Sequence, residues 1–296
     1  MKHTLLVMVL AITSLGLYAC DGCGSGAGQA GWGIMPSNSQ HFIGLRVRYR
    51  SFLTQPHSNG NMTSGGSNDY FVRAEISGRY SLKNGLMLLA TVPFQFGQTG
   101  MQMQYGLGDM AFTIAGSILE PNESESFKHQ LMGGLGIETP TGHFQFDHEI
   151  PAVVQQGSKS WDLTSMLMYS LRYNKSGTQL ECNYKYSGVN TEHYQFGQMF
   201  SVALRGFRTL DINSWRFVPS LAVTQEVWGQ DVQDTRYDID VKYTGGSLLT
   251  AAAGLDIFTT RFSVGVEYGR SLHSHIAEGY SSLKHHAQVR LLLFII

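Results

Sequence analysis

The chain has 296 residues, a formal net charge of -1 and only 15% charged residues, below the roughly 25% of an average soluble domain. This balance argues against a basic nucleic-acid-binding protein and against an acidic tail protein. The 34 glycines and the many tyrosines and phenylalanines favour a β-rich protein whose outer surface is not entirely in water.

The N-terminus is typical of an export signal. Lys2 supplies a positive charge, and residues 5–17 form an apolar core that is too short to span a bilayer. The tetrapeptide that ends at Cys20 resembles a lipobox, in which Cys20 would be lipidated after cleavage, but a plain cut near Ala19 fits equally well. In both cases we expect residues 1–19 to be a signal peptide that is absent from the mature protein.

A Gly-rich N-terminal segment, residues 20–38, is expected to be irregular. It would enter from the periplasmic side, either as a plug in the lumen of the barrel predicted below or as a lipid-anchored arm. Cys20 and Cys23 form a lone C-x-x-C, for which a loop disulfide, a metal clip and a lipidated Cys20 beside a free Cys23 all stay open. Zinc would need two more ligands. We interpret Cys182 as a small apolar strand residue.

The first predicted strand, residues 41–52, sets the pattern. Its apolar residues, from Ile43 to Tyr49, alternate with polar ones, so one face is apolar and the other carries Arg46, Arg48 and Arg50. Eleven further segments repeat this alternation in chain order: residues 70–82, 86–96, 108–119, 129–139, 160–173, 178–187, 198–208, 214–226, 246–258, 261–272 and 284–296.

The connections between these strands alternate between long and short, beginning with the long loop 53–69 and ending with the long loop 273–283. Both termini therefore fall on the side of the short turns. No window after the signal holds the roughly 18 apolar residues of a membrane helix. We predict an all-β, transmembrane, antiparallel up-and-down β-barrel over residues 39–296, with about 12 strands, long extracellular loops and short periplasmic turns.

The distribution of charge between the two strand faces supports a membrane barrel over a soluble one. The faces that we predict to point outward carry no Asp, Glu, Lys or Arg within the strand cores, and their aromatic residues gather near strand ends, as in interfacial girdles. On the other faces we expect these residues to line the lumen: Arg46, Arg48, Arg50, Arg73, Glu75, Arg79, Glu138, Asp162, Arg172, Glu181, Lys185, Arg205, Arg216 and Glu226. Asp256, Glu267 and Arg290 fall on the same faces.

Four short motifs resemble those of a known family. Residues 133–142 look like its G-L-G-x-K-x-P-T-G strand end, 105–109 like its G-x-G-D, 155–162 like its Q-x-G-x-G-S-x-D, and 244–246 fit a late loop. The chain thus resembles the transporter-like outer-membrane barrels grouped as the putative phenol-degradation meta-pathway family. Its N-terminal part further resembles a Bacteroidetes-type transporter branch. Lys159 stands where that family often has Gly, and Glu138 where it often has Lys.

The resemblance implies an outer-membrane channel for a small solute in a Gram-negative cell. It does not imply phenol, because the family name reflects genomic context. We therefore predict a channel or transporter with a narrow, charged lumen, with membrane lipid and a small solute as partners and with no cofactor, no nucleic acid and no enzymatic activity. Twelve strands lie between the filled lumen of eight and the aqueous channel of sixteen, so the pore should be narrow or gated.

Several alternatives stay open. The arginines of the first two strands could guide anions, or could form a structural network with Glu75 and other acids. Histidines of the long-loop side, with Met101 and Met103, could bind copper or zinc or could simply be polar loop residues; the candidate ligands are His273, His275, His285 and His286. The acidic loop 227–245 could bind calcium, although a solvated loop is the better interpretation. A structural or adhesive barrel is a further alternative, and a hydrolase a more remote one.

Overall fold

The computed structural model of the protein describes residues 40–55, 57–58, 61–62, 66–82, 85–122, 124–144, 155–235, 239–240 and 244–295. The predicted signal peptide, Cys20, Cys23 and the Gly-rich segment lie outside these residues. Across the described part of the chain, no helix has the length and apolar character that a membrane crossing requires.

Twelve long strands form one closed antiparallel sheet, as the sequence predicts. Each strand pairs with the next along the chain, and the first pairs with the last through residues 41–54 and 281–295. The strands are β1 (His41–Thr54), β2 (Ser67–Ser81), β3 (Leu86–Thr99), β4 (Ala111–Leu119), β5 (Phe127–Glu138), β6 (Asp162–Tyr173), β7 (Ser176–Tyr186), β8 (Met199–Arg208), β9 (Trp215–Trp228), β10 (Gly246–Phe258), β11 (Phe262–Ile276) and β12 (Ser281–Ile295).

The prediction of a long loop over residues 273–283, between β11 and β12, is wrong. The two strands continue to Ile276 and from Ser281, and a 3-10 turn, Ala277–Gly279, joins them. All three turn residues have positive φ, and the pairing shifts register after Arg270. The sequence suggested a loop because residues 271–275 lack an apolar alternation. A strand that projects into water beyond the membrane does not need an apolar face, so it does not show this alternation.

A similar extension occurs after β3. The short strand Gln102–Leu107 lies in a segment predicted as a loop, and it pairs with the last residues of β3 from Phe94 to Thr99. Shorter pairs occur at residues 57–58 with 61–62 and at 232–234 with 239–240. The long-loop end of the barrel is therefore taller than the predicted strand lengths indicate.

The outer surface of the cylinder is apolar. Ile76 and Leu221 are 59% and 70% exposed, in strands whose alternate residues are buried. Aromatic pairs flank this belt near strand ends, such as Phe127 stacked on Tyr173 at 4.7 Å. Because a soluble sheet buries its apolar face and wets its polar one, this inverted distribution is that of a β-barrel in the outer membrane of a Gram-negative cell.

Candidate functional site

The inward-facing side chains change character along the axis of the barrel. At the long-loop end, inward-facing apolar side chains of β8–β12, β1 and β2 pack together inside the barrel. We call them the outer apolar cluster, because they lie at the extracellular end. It consists of Phe52, Phe71, Met199, Trp228, Leu248, Ile276, Ala277 and Leu283. Charged groups follow deeper in the barrel. Apolar side chains return in the half next to the short turns, so the charged residues of the interior lie between two apolar zones.

Four charged side chains meet where β1 and β2 pair. Glu75 accepts hydrogen bonds from Arg46 Nε at 2.5 Å, from Arg73 Nε at 2.7 Å and from Arg48 Nη2 at 2.9 Å. Arg46 and Glu75 are 1% and 2% exposed. Buried charges are tolerated only when they are paired and hydrogen-bonded. The geometry therefore matches the structural network with Glu75 that the sequence left open beside the anion-guiding interpretation.

Two ion pairs join strands that are not neighbours. Arg50 on β1 contacts Glu226 on β9 at 2.7 Å, although three strands separate β1 from β9 around the barrel. Arg205 on β8 contacts Glu267 on β11 at 2.7 Å, with two strands between them. These side chains therefore extend into the interior of the barrel, beyond the strands next to their own.

A third ion pair crosses over a glycine. Asp256 on β10 accepts a hydrogen bond from Arg290 on β12 at 2.8 Å, and Gly265 of β11 lies between them in register. A Cβ atom at position 265 would collide with both side chains. Glycine is therefore needed here because two charged side chains meet directly above its backbone.

A fifth charged group lies on β5–β7. Lys185 Nζ contacts Glu138 at 2.6 Å and Asp162 at 2.7 Å. The other oxygen of Asp162 accepts hydrogen bonds from Ser160 Oγ and from the Gly188 amide. Glu138 and Asp162 come from two of the sequence motifs, which the fold brings together.

The remaining residues that the sequence predicts to line the lumen do not belong to these five charged groups. Arg172 and Arg216 are exposed near the short turns, where Arg216 pairs with Asp211. Arg79 donates two hydrogen bonds to the backbone carbonyl of Gln40. Glu181 is half-buried and accepts a hydrogen bond from Asn183.

The histidines proposed as metal ligands do not converge. His285 forms a hydrogen bond with Tyr268 on the outer side, whereas His286 follows it in the strand and packs against Gly269 on the inner side. Among the residues that the structure describes, no three His, Cys, Asp or Glu side chains are grouped so as to hold a metal ion.

The sequence motifs also build the long-loop side of the barrel. Asp109 of the G-x-G-D motif is buried and accepts hydrogen bonds from the Gly142 amide at 2.8 Å, the Ser158 amide at 2.6 Å and the Ser158 hydroxyl at 2.8 Å. The backbones of Gly142 and Gly157 cross so closely that a Cβ atom on either would collide with the other. Asp109 thus anchors both ends of the loop between β5 and β6. The motif was visible in the sequence, but this structural role was not.

A second buried carboxylate ties two further loops together. Asp231 accepts hydrogen bonds from the Tyr194 hydroxyl at 2.5 Å and from the Gly197 amide at 2.7 Å. Tyr194 packs with Phe144 and Phe196 in a small aromatic cluster. Burial raises the pKa of Asp231 to about 6, against the opposing effect of both hydrogen bonds. The interpretation of Asp231 as part of a solvated acidic loop is therefore wrong. Asp234 and Asp240 lie in the described backbone, and Asp238 lies outside the described residues.

Comparison with known proteins supports the architecture. No protein-family model matches the sequence, and a search of curated proteins finds no match. Among solved structures, the COG4313 outer membrane channel from Pseudomonas putida F1 is similar over 88% of this chain and 100% of that chain, with 15% identity and a TM-score of 0.68. The NanC porin covers 86% of this chain and 100% of its own at 12% identity, with a TM-score of 0.44. The β-domain of the Bordetella autotransporter BrkA covers 86% and 98% at 10% identity, with a TM-score of 0.46. At these identities the similarity to the channel shows a shared fold.

Proposed function

We propose that this protein is an outer-membrane channel that passes a small solute through a narrow, charged lumen. The observation that carries the proposal is the interior itself, in which opposite charges face one another across the cylinder, as Arg50 and Glu226 do. Channels select solutes by pore diameter and by the charged groups that line the pore. The likeness of the fold to a solved outer membrane channel supports the same function.

The proposed path avoids the outer apolar cluster. That cluster occupies the long-loop end of β8–β12, β1 and β2, so a solute would enter beside β3–β7, under the loops that Asp109 and Asp231 anchor. Inside, it would meet Lys185 with its two carboxylates and then the arginines around Glu75. We infer that the ion pairs determine the width of the pore. The loops that Asp109 and Asp231 anchor would shape its extracellular entrance.

Planar-bilayer conductance and liposome uptake of purified, folded protein test this function. We expect discrete conductance steps, and we expect Glu226→Gln to change the ratio of anion to cation permeability because it removes a lumen charge. Lys175→Gln is the matched control, since Lys175 lies exposed in a short turn, 3.6 Å from Asp211. Folded protein that gives neither conductance nor solute uptake, with and without the Gly-rich segment 20–38, would overturn the channel proposal.

A structural barrel is the second candidate. The ion pairs around Glu75, which are buried, and the outer apolar cluster would also suit the packed interior of a small barrel. The same conductance experiment separates the two functions, because a structural barrel would remain silent. Lipase, protease and acyltransferase assays would test the more remote hydrolase alternative.

A further inference from the structure

The outer wall of the barrel carries a group of basic side chains toward its extracellular end. Arg270 on β11 lies opposite His285 on β12, and Lys284 precedes His285 in a bulge of that strand. Arg270 and Lys284 are exposed. Lys284 extends over the outside of β1, where its Nζ lies 3.4 Å from Asn68 Oδ1 on β2. We call Arg270, Lys284 and His285 the basic patch.

The contacts within the basic patch leave most of its hydrogen-bond donors available. Arg270 Nε donates to His285 Nδ1 at 3.3 Å, and the Tyr268 hydroxyl lies 2.7 Å from the same nitrogen. Because Nδ1 accepts, the ring proton of His285 is on Nε2. Among the residues that the structure describes, no carboxylate forms an ion pair with Arg270 or Lys284. The terminal nitrogens of Arg270 and the Lys284 ammonium group therefore face outward without an anionic partner from this part of the chain.

The height of the patch places it near the boundary of the membrane. Arg270 lies eight residues beyond Phe262, whose ring packs against Trp215 at the short-turn end. At about 3.3 Å per residue and a tilt of about 40°, this distance corresponds to a height of about 20 Å. The apolar belt of an outer-membrane barrel is about 25 Å tall, so the long side chain of Arg270 can extend to the headgroups. Below it, Val266 and Val289 are exposed on the lipid face.

The charge of this wall favours an anionic lipid. In β10–β12 and β1, all of whose residues the structure describes, no Asp or Glu faces outward, since Asp256 and Glu267 pair inside the barrel. Basic side chains at a membrane surface attract anionic headgroups, and a guanidinium group matches the geometry of a phosphate. The outer leaflet of a Gram-negative outer membrane consists largely of glycolipid with a phosphorylated disaccharide head, lipid A. A free phosphate ion would not use the apolar wall below the patch.

We propose that the basic patch binds the phosphate groups of lipid A. The terminal nitrogens of Arg270 donate to one phosphate, and Lys284 and His285 Nε2 add donors beside it. The acyl chains lie against Val266 and Val289, below the headgroup. This site is on the outer wall, so it does not depend on the proposed channel function.

Lipid binding to the full, folded chain in detergent tests the proposal by native mass spectrometry. In the parent protein, we expect diphosphoryl lipid A to bind at least about tenfold more tightly than lipid A from which both phosphates have been removed. This comparison needs no variant. Equal affinities would overturn the proposal. Phosphatidylglycerol supplies a phosphate on a different headgroup, and affinity as high as that of lipid A would overturn the assignment to lipid A.

A pair of substitutions locates the site. We expect Arg270→Gln combined with Lys284→Gln to weaken binding of diphosphoryl lipid A by about tenfold or more. The matched control combines Lys175→Gln with Arg261→Gln, which removes the same charge from exposed residues at the short-turn end and should leave the affinity unchanged. The electrophoretic mobility of unheated samples verifies that each variant is folded. Equal weakening by the two pairs would show a general attraction of anions and would overturn the proposed site.

Discussion

At the scale of single residues, buried carboxylates organise this barrel, and each does so with a different partner. Glu75 is held by guanidinium groups inside the sheet. Asp109 is held mainly by two backbone amides of one loop, and Asp231 by the Tyr194 hydroxyl and one backbone amide. Sequence patterns predicted Glu75 on an inward face, because strand alternation fixes the side of each residue. They did not predict the burial of Asp231, since its contacts with Tyr194 and Gly197 depend on how two loops pack.

The position of Asp231 leads to a pH-dependent stability of these loops. The pKa of Asp231 in the folded state rises from the ordinary 3.8 to about 6. The stability that protonated Asp231 gives to the packed loops is therefore fully present below about pH 4 and is lost as the pH rises through about 6. The difference corresponds to on the order of 3 kcal/mol. We expect hydrogen exchange of the Gly197 amide, corrected for its intrinsic rate, to be slower at pH 4.5 than at pH 7.5. Asp231→Asn should abolish this difference, and an equal difference in that variant would contradict the assignment.

At the scale of elements, the sequence predicted all twelve strands but placed some ends wrongly. The apolar alternation that identifies a strand reports contact with lipid, so it stops where the strand leaves the membrane. Residues 271–276 and the short strand at 102–107 continue as paired backbone beyond that point. In the loops, the sequence showed the important residues but not their contacts. The motifs around Asp109 and Gly157 were visible, but their meeting requires a fold that spacing alone does not give.

The loop between β5 and β6 should depend on Asp109. Asp109→Ala leaves the buried Gly142 and Ser158 amides without their acceptor, at a cost of roughly 3 kcal/mol, or about a hundredfold in the local opening equilibrium. We expect proteinase K to cleave within residues 139–161 far faster in this variant, while the strands stay protected. Lys159→Ala is the control in the same loop, because Lys159 makes only a surface pair with Glu192. Equal cleavage rates in the two variants would show that Asp109 does not anchor the loop.

At the scale of the whole molecule, closure of the sheet decides which charges meet. Alternation predicted that Arg50, Arg205, Glu226 and Glu267 all face inward, but not which pairs form, because partners such as Arg50 and Glu226 lie on strands that are not neighbours. Pairing of this kind depends on the cross-section of the closed cylinder. The two apolar zones of the interior escaped prediction for a related reason, since an inward apolar residue interrupts the polar face without changing the strand pattern.

The inside-out arrangement of the whole barrel can be tested at one position. Ile76 is 59% exposed and lies on β2 between the aromatic residues Tyr70 and Tyr80, close to the middle of the apolar belt. Arginine at mid-height on a lipid face costs about 2–4 kcal/mol. We therefore expect Ile76→Arg to lower the free energy of unfolding from lipid vesicles by that amount. Met103→Arg should have little effect, because Met103 is 53% exposed on the strand beyond the belt. If Ile76→Arg is tolerated as well as Met103→Arg, the face of β2 that carries Ile76 does not contact lipid.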